Sequence, residues 1–130
     1  MKPGATNIAI IGIIDDDQPF RDALASVLKA AGFGVTTYGS AEEYLNSSGR
    51  QATTCLVLDV RLPGMSGIEL QRHMIQSGDS VPIIFVSGHG DDSLRGLLMK
   101  AGAKGFLSKP VRSDKLITAI RAAINQDAED

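Results

Sequence analysis

The sequence predicts an α/β fold, a doubly wound five-stranded parallel sheet flanked by five helices. Three observations predict it. Short runs rich in Val and Ile alternate strictly with longer stretches of helical apolar spacing, and five such pairs follow one another. Three of the strand candidates are apolar almost without interruption, the pattern expected when helices cover both faces of a parallel sheet. At 130 residues, 43% hydrophobic and 22% charged, the chain suits one compact domain with a core of its own.

The first strand is predicted over residues 8–14, the apolar run Ile-Ala-Ile-Ile-Gly-Ile-Ile. A helix is expected from about Asp17, with Pro19 in its opening turn, Phe20, Leu24, Val27 and Leu28 on its buried face, and a stop at Gly32. The second strand falls at 35–38. Ser40-Ala41-Glu42-Glu43 then has the spacing of a capping box, which starts a second helix running to about Asn46. Strands at Cys55–Asp59, Ile83–Ser87 and Gly105–Ser108 are each followed by a helical stretch, at 67–77, 92–101 and 113–125. Leu116, Ile117, Ile120 and Ile124 form the inner side of the last helix, and the polar tail 126–130 is expected to fray. The core of the domain is thus expected over about 8–124.

Several function classes drop out early. A formal net charge of −2 argues against direct nucleic-acid binding by this segment. Cys55, the only cysteine, stands among Leu56, Val57 and Leu58 and reads as a buried strand residue rather than a reactive thiol. The apolar run 8–14 is too short to cross a bilayer, so no membrane role and a cytoplasmic location are expected. His73 lies on a predicted helix and His89 in a loop, and neither joins Cys55 in a zinc-ligand pattern. Asp-Asp-Asp-Gln-Pro at the first strand-to-helix turn is no glycine-rich phosphate cradle, and Gly88-His89-Gly90 is too short to be one.

Ligands of doubly wound sheets bind at the carboxyl ends of the strands, so the chemistry should lie there. Strand one ends in Asp15-Asp16-Asp17, strand three in Asp59, strand four in Ser87, and strand five runs into Lys109-Pro110. Taken singly, an Asp after a strand is commonly a cap or turn residue, and a lone Lys109 is commonly a solvated surface lysine. Taken together, three strand-end acids suit a hard divalent cation such as Mg²⁺, which is held by carboxylates, waters and phosphate oxygens.

Four segments carry a family resemblance. They are Ile13-Ile14-Asp15-Asp16-Asp17, Leu58-Asp59-Val60-Arg61-Leu62-Pro63-Gly64-Met65-Ser66-Gly67, Ser87-Gly88-His89-Gly90 and Phe106-Leu107-Ser108-Lys109-Pro110. Together they resemble the receiver domains of two-component response regulators, and the Gly-His-Gly wording with Arg61 after Val60 is most similar to the FixJ type. The resemblance implies the flavodoxin-like strand order 2-1-3-4-5. It also implies that Asp59 takes a phosphoryl group from a sensor histidine kinase. Asp16 and Asp59 would bind Mg²⁺ directly, with Mn²⁺ as the alternative ion, Asp15 would bind through water, and the backbone carbonyl of Arg61 would complete the set. Lys109 would pair with a phosphoryl oxygen, Ser87 would donate a hydrogen bond to it, and Phe106 would turn with Ser87 as the switch aromatic. A cis peptide at Lys109-Pro110 follows by the same analogy.

Further implied properties are a phosphorylation-dependent homodimer, catalysis confined to the domain's own phosphotransfer and dephosphorylation, and a place as the N-terminal part of a transcriptional regulator. A stand-alone phosphorelay receiver is the alternative, and a pseudo-receiver that only binds proteins is disfavoured because all the expected residue types are present. A carboxylate-nucleophile phosphatase shares the strand-end Asp and Mg²⁺, yet such enzymes need a second acid two residues on, where this chain has Arg61. Val111 after Lys109-Pro110, where Phe is frequent, leaves the output surface open.

Overall fold

A computed structural model describes residues 8–88 and 91–129, and the side chains as far as Asn125. Five parallel strands, β1 (Ile10–Ile14), β2 (Gly34–Tyr38), β3 (Cys55–Asp59), β4 (Ile83–Ser87) and β5 (Gly105–Ser108), lie in the order β2-β1-β3-β4-β5. Helices α1 (Gln18–Ala30), α2 (Ala41–Leu45), α3 (Gly67–Gln76), α4 (Arg95–Lys100) and α5 (Ser113–Glu129) follow the strands in turn. This is the doubly wound arrangement that the alternation predicts.

Side chains along a strand point alternately to the two faces of the sheet, and here each face has its own core. Ile11, Ile13, Cys55, Val57, Ile84 and Val86 pack under α1 and α5, against Leu24, Leu28, Leu116 and Ile120. Leu56, Leu58 and Phe85 face the other way, toward Tyr44, Leu70, Met74 and Leu98 of α2, α3 and α4. Burial on both faces explains why β3 and β4 have no polar residue before their last position. The edge strand β2 is exposed in part, at Thr36.

Local chemistry sets the helix starts. Asp17 caps α1 by accepting from Phe20 N at 3.2 Å, and Pro19 stands in the first turn. Ser40 caps α2 by accepting from Glu43 N at 3.0 Å, but the Glu43 carboxylate bonds Gly39 N at 2.8 Å, one residue upstream of a standard capping box. The complete box belongs to α3, where Ser66 and Glu69 satisfy each other's backbone N–H.

Three elements differ from expectation by more than one residue. β1 starts at Ile10, because pairing with β2 begins there and Ile8 is left 61% exposed. The fourth helix divides into a 3-10 turn, Asp92–Leu94, and a short α4, neither with a side-chain cap. Asp91 stands at the cap position, but its carboxylate is committed to Arg61. α5 is helical to Glu129, beyond the end expected at 125, and no glycine or proline interrupts it. A 3-10 segment at Ser48–Ala52 was outside the sequence reading, and Asp130 lies outside the described residues.

The turn after β3 brings backbone into close contact with backbone. Gly64 adopts φ +74°, and Gly67 opens α3 with its N–H donated to Val60 O at 3.0 Å. A Cβ on Gly67 would run into the backbone carbonyl of Asp59. Backbone cannot move aside as a flexible side chain can, so only glycine fits. Gly67→Ala is therefore expected to cost about 2–3 kcal/mol of stability, within the usual range for overpacking, read by urea unfolding.

Candidate functional site

The carboxyl ends of the five strands lie at one end of the sheet, and backbone hydrogen bonds tie neighbouring ends together. Asp15 N donates to Tyr38 O at 3.1 Å, Val60 N to Val86 O at 3.1 Å, and Lys109 N to Ser87 O at 2.8 Å. Those bonds fix where the side chains start. Asp15 is fully buried, Asp59 is 5% exposed, and Asp16 turns to the open side. One carboxylate oxygen from each lies within 4.8 Å of the others.

Lys109 is the cation that faces them. Its Nζ stands 3.0 Å from Asp15 Oδ2 and 3.4 Å from Asp59 Oδ2, and 4.4 Å from the centre of the Phe20 ring. The peptide between Lys109 and Pro110 is cis. Burial alone would depress the lysine's pKa, but its hydrogen bond to Asp15 and the charges of Asp59 and Asp15 outweigh that, and the pKa rises. Lys109 therefore stays charged.

The Asp59 pKa rises too, which for an acid favours the neutral form. Burial raises its pKa, the neighbouring Asp15 charge adds to the rise, and Lys109 opposes both, so that the carboxyl is pushed up to about 6. A backbone N–H from Arg61, 3.2 Å from Asp59 Oδ1, also favours the ionised form. An ionised Asp59 at neutral pH is thus a state held against its surroundings, closer to its titration than an ordinary aspartate.

The remaining residues singled out from sequence are near but not all in contact. Ser87 is buried at the end of β4, its hydroxyl donating to Gly88 O at 3.2 Å. Phe106 is 3% exposed within β5, where the Arg95 guanidinium lies 4.8 Å from its ring centre. Arg61 brings its backbone to Asp59 while its side chain goes elsewhere, to Asp91 at 2.6 Å. Cys55 is buried in β3 and His73 is exposed on α3, as expected, whereas His89 and Gly90 lie outside the described residues.

Four participants were missed. Asp91, 1% exposed, stood in a polar run that read as a loop. Phe20 read as an ordinary core residue of the first helix, although its ring also walls in Lys109 Nζ. Arg21 donates to Asp15 O at 2.6 Å, and Glu42 accepts from Met65 N at 2.8 Å, clamping the turn after β3 from α2. That last bond holds the Glu42 carboxyl below its usual range. None of these pairings has a local sequence signal.

Three strand-end acids and an inward lysine on this sheet match a known pattern, and a family model described as "Response regulator receiver domain" matches residues 11–121. The chain belongs to that family. The receiver is 45% identical over 116 residues to the response regulator protein TodT of Pseudomonas putida, a match that covers 89% of this chain and 51% of TodT. It is 43% identical to the transcriptional regulatory protein FixJ of Bradyrhizobium diazoefficiens, over 89% of this chain and 57% of that protein. The solved structure of the response regulator StyR superposes with a TM-score of 0.84 at 41% identity, covering 94% of this chain and 62% of StyR. The receiver is FixJ-like, and it spans about half the length of the curated relatives it matches. No helix among the described residues is long and apolar enough to cross a membrane.

The raised pKa of Asp59 has a stability consequence in metal-free protein. Its folded pKa, about 6, lies above the unfolded 3.8, so the favourable contribution is full below about pH 3.8 and is lost as pH rises through about 6. Asp59→Asn is expected to be more stable than the parent at pH 7.5, by up to about 3 kcal/mol at 1.36 kcal/mol per pKa unit, and to lose that advantage near pH 3.5. Urea unfolding at the two pH values in chelator checks it.

Proposed function

We propose that Asp59 is the phospho-acceptor of this receiver and that a sensor histidine kinase is its donor. The observation that supports this most is the meeting of Asp15, Asp16 and Asp59 within 4.8 Å, with the Lys109 ammonium 3.4 Å from Asp59. An Asp59 carboxylate oxygen would attack the phosphorus of a phosphohistidine, the P–N bond would break with its electrons left on the imidazole, and an acyl phosphate would result. No general base is required, because the attacking carboxyl is ionised above about pH 6. Catalysis is then positioning and charge stabilisation, limited to the domain's own phosphorylation and dephosphorylation.

The donor set suits Mg²⁺, with Mn²⁺ as the alternative. Asp15, Asp16 and Asp59 are hard oxygen ligands, and Asp15 Oδ2 and Asp59 Oδ2 have one ammonium, that of Lys109, facing both of them. The backbone carbonyl of Arg61 would join them. A bound ion supplies neutralising charge at the phosphoryl oxygens. Lys109 would keep one of those oxygens as an ion-pair partner, and Ser87 would turn its hydroxyl from Gly88 O to another.

We infer further that residues of about 8–124 act as one receiver unit and that phosphorylation biases its α4-β5-α5 face. Ser87 and Lys109 flank this face in sequence, so contacts with a phosphoryl group pull on both of its ends, and a ligand shifts an equilibrium only through such differential contacts. Phe106 would report the shift, and homodimerisation would be its readout. Relatives of about twice the length include one named a transcriptional regulatory protein, which favours a place as the N-terminal part of a transcription regulator over a stand-alone relay. Contact with DNA would then fall to another segment.

With acetyl phosphate and Mg²⁺, the parent is expected to gain one phosphoryl group by intact mass, Asp59→Asn none, and Asp16→Ala far less at matched Mg²⁺. A phosphoryl gain by Asp59→Asn at the parent's rate would refute the acceptor assignment.

Beryllofluoride in Mg²⁺, a stable phosphoryl mimic, is expected to alter amide exchange from about 93 to 120 and to raise the sedimentation coefficient. Changes confined to α1 and α2 would rule out the proposed output face.

A further inference from the structure

Arg61 adjoins the acceptor but spends its charge elsewhere. Its backbone N–H donates to Asp59 Oδ1 at 3.2 Å, while Nε and Nη2 both reach Asp91 Oδ1, at 2.8 and 2.6 Å. The Arg61 side chain is 71% exposed and the Asp91 side chain fully buried. Asp91 Oδ2 accepts no hydrogen bond among the described residues, so the guanidinium is what compensates this buried carboxylate. Asp91 also accepts Leu94 N at its backbone carbonyl, 2.9 Å away, and so begins the 3-10 turn that leads into α4.

Two anions therefore compete for one mobile cation. Asp91 offers a single charge, whereas a phosphorylated Asp59 would carry about two on three strong acceptor oxygens. Guanidinium groups bind such oxygens in pairs, and Arg61 can swing because most of its side chain is in water.

We propose that Arg61 is a shared cation, which Asp91 holds back from the acceptor in the unmodified receiver and which a phosphoryl group on Asp59 draws over. Asp91 then loses its counter-charge, and the turn at Asp92–Leu94 opens to hydrate it. Asp91 is a positioning residue that acts through Arg61, and the pair links the acceptor loop to the start of α4 by a route separate from Ser87 and Phe106. The proposal rests on the phospho-acceptor reading of Asp59.

A double-mutant cycle on the whole chain tests it, read by beryllofluoride affinity in Mg²⁺ and by amide exchange at 92–98. Asp91→Asn keeps the shape and removes the charge that restrains Arg61. It is expected to bind beryllofluoride several-fold more tightly than the parent and to exchange faster at 92–98 before any is added. In an Arg61→Ala background, or Arg61→Gln should that protein unfold, Asp91→Asn is expected to leave the affinity unchanged, while Arg61→Lys retains part of the gain. Equal loss of affinity from Asp91→Asn in both backgrounds would mark a packing role and overturn the proposal. Failure of the parent and every variant alike to bind beryllofluoride would instead overturn the acceptor reading, and this inference with it.

Discussion

Asp15 and Asp59 lie side by side at the end of the sheet with almost no solvent, and Lys109 holds that arrangement together. Two buried carboxylates repel each other and are poorly solvated, so without a cation one of them would take up a proton. The lysine that prevents this arrives from the far edge strand, with its backbone N–H bound to Ser87 O and its ammonium between the two acids. The order β2-β1-β3-β4-β5 sets this geometry, for it puts β1 and β3 side by side at the centre and brings β5 in from the edge behind β4.

The same constraint explains why the balance is incomplete. Lys109 contributes one positive charge against three clustered acids, and Asp59 remains harder to ionise than a free aspartate. A site left short of positive charge favours whatever brings more of it. The acid cluster is thus suited to a divalent ion on general electrostatic grounds, apart from any likeness to relatives.

The strands were legible because burial on two faces leaves a plain mark, and β3, β4 and β5 were placed to the residue. Helix starts were legible where Asp17 or Ser40 supplies a cap. The division of the fourth helix was not, because it follows from Arg61 claiming the Asp91 carboxylate from 30 residues away. Of the site, Asp15, Asp16, Asp59, Ser87 and Lys109 were found from their positions at strand ends, and the resemblance supplied their roles and added Arg61. Asp91 and the second use of Phe20 remained hidden, since each depends on what the folded chain brings alongside it.

α4 is joined to the domain by little. Leu98 is its buried side chain, the Gln71 amide holds Leu98 O at 3.2 Å, and Leu97 and Met99 stand 60% and 39% exposed. Because the interior takes one side chain of this helix and the Arg95 guanidinium covers the Phe106 ring, the remaining exposed positions can be exchanged without refitting the packing beneath. The exposed side of α4 can therefore vary in sequence while the acid cluster at the strand ends stays the same.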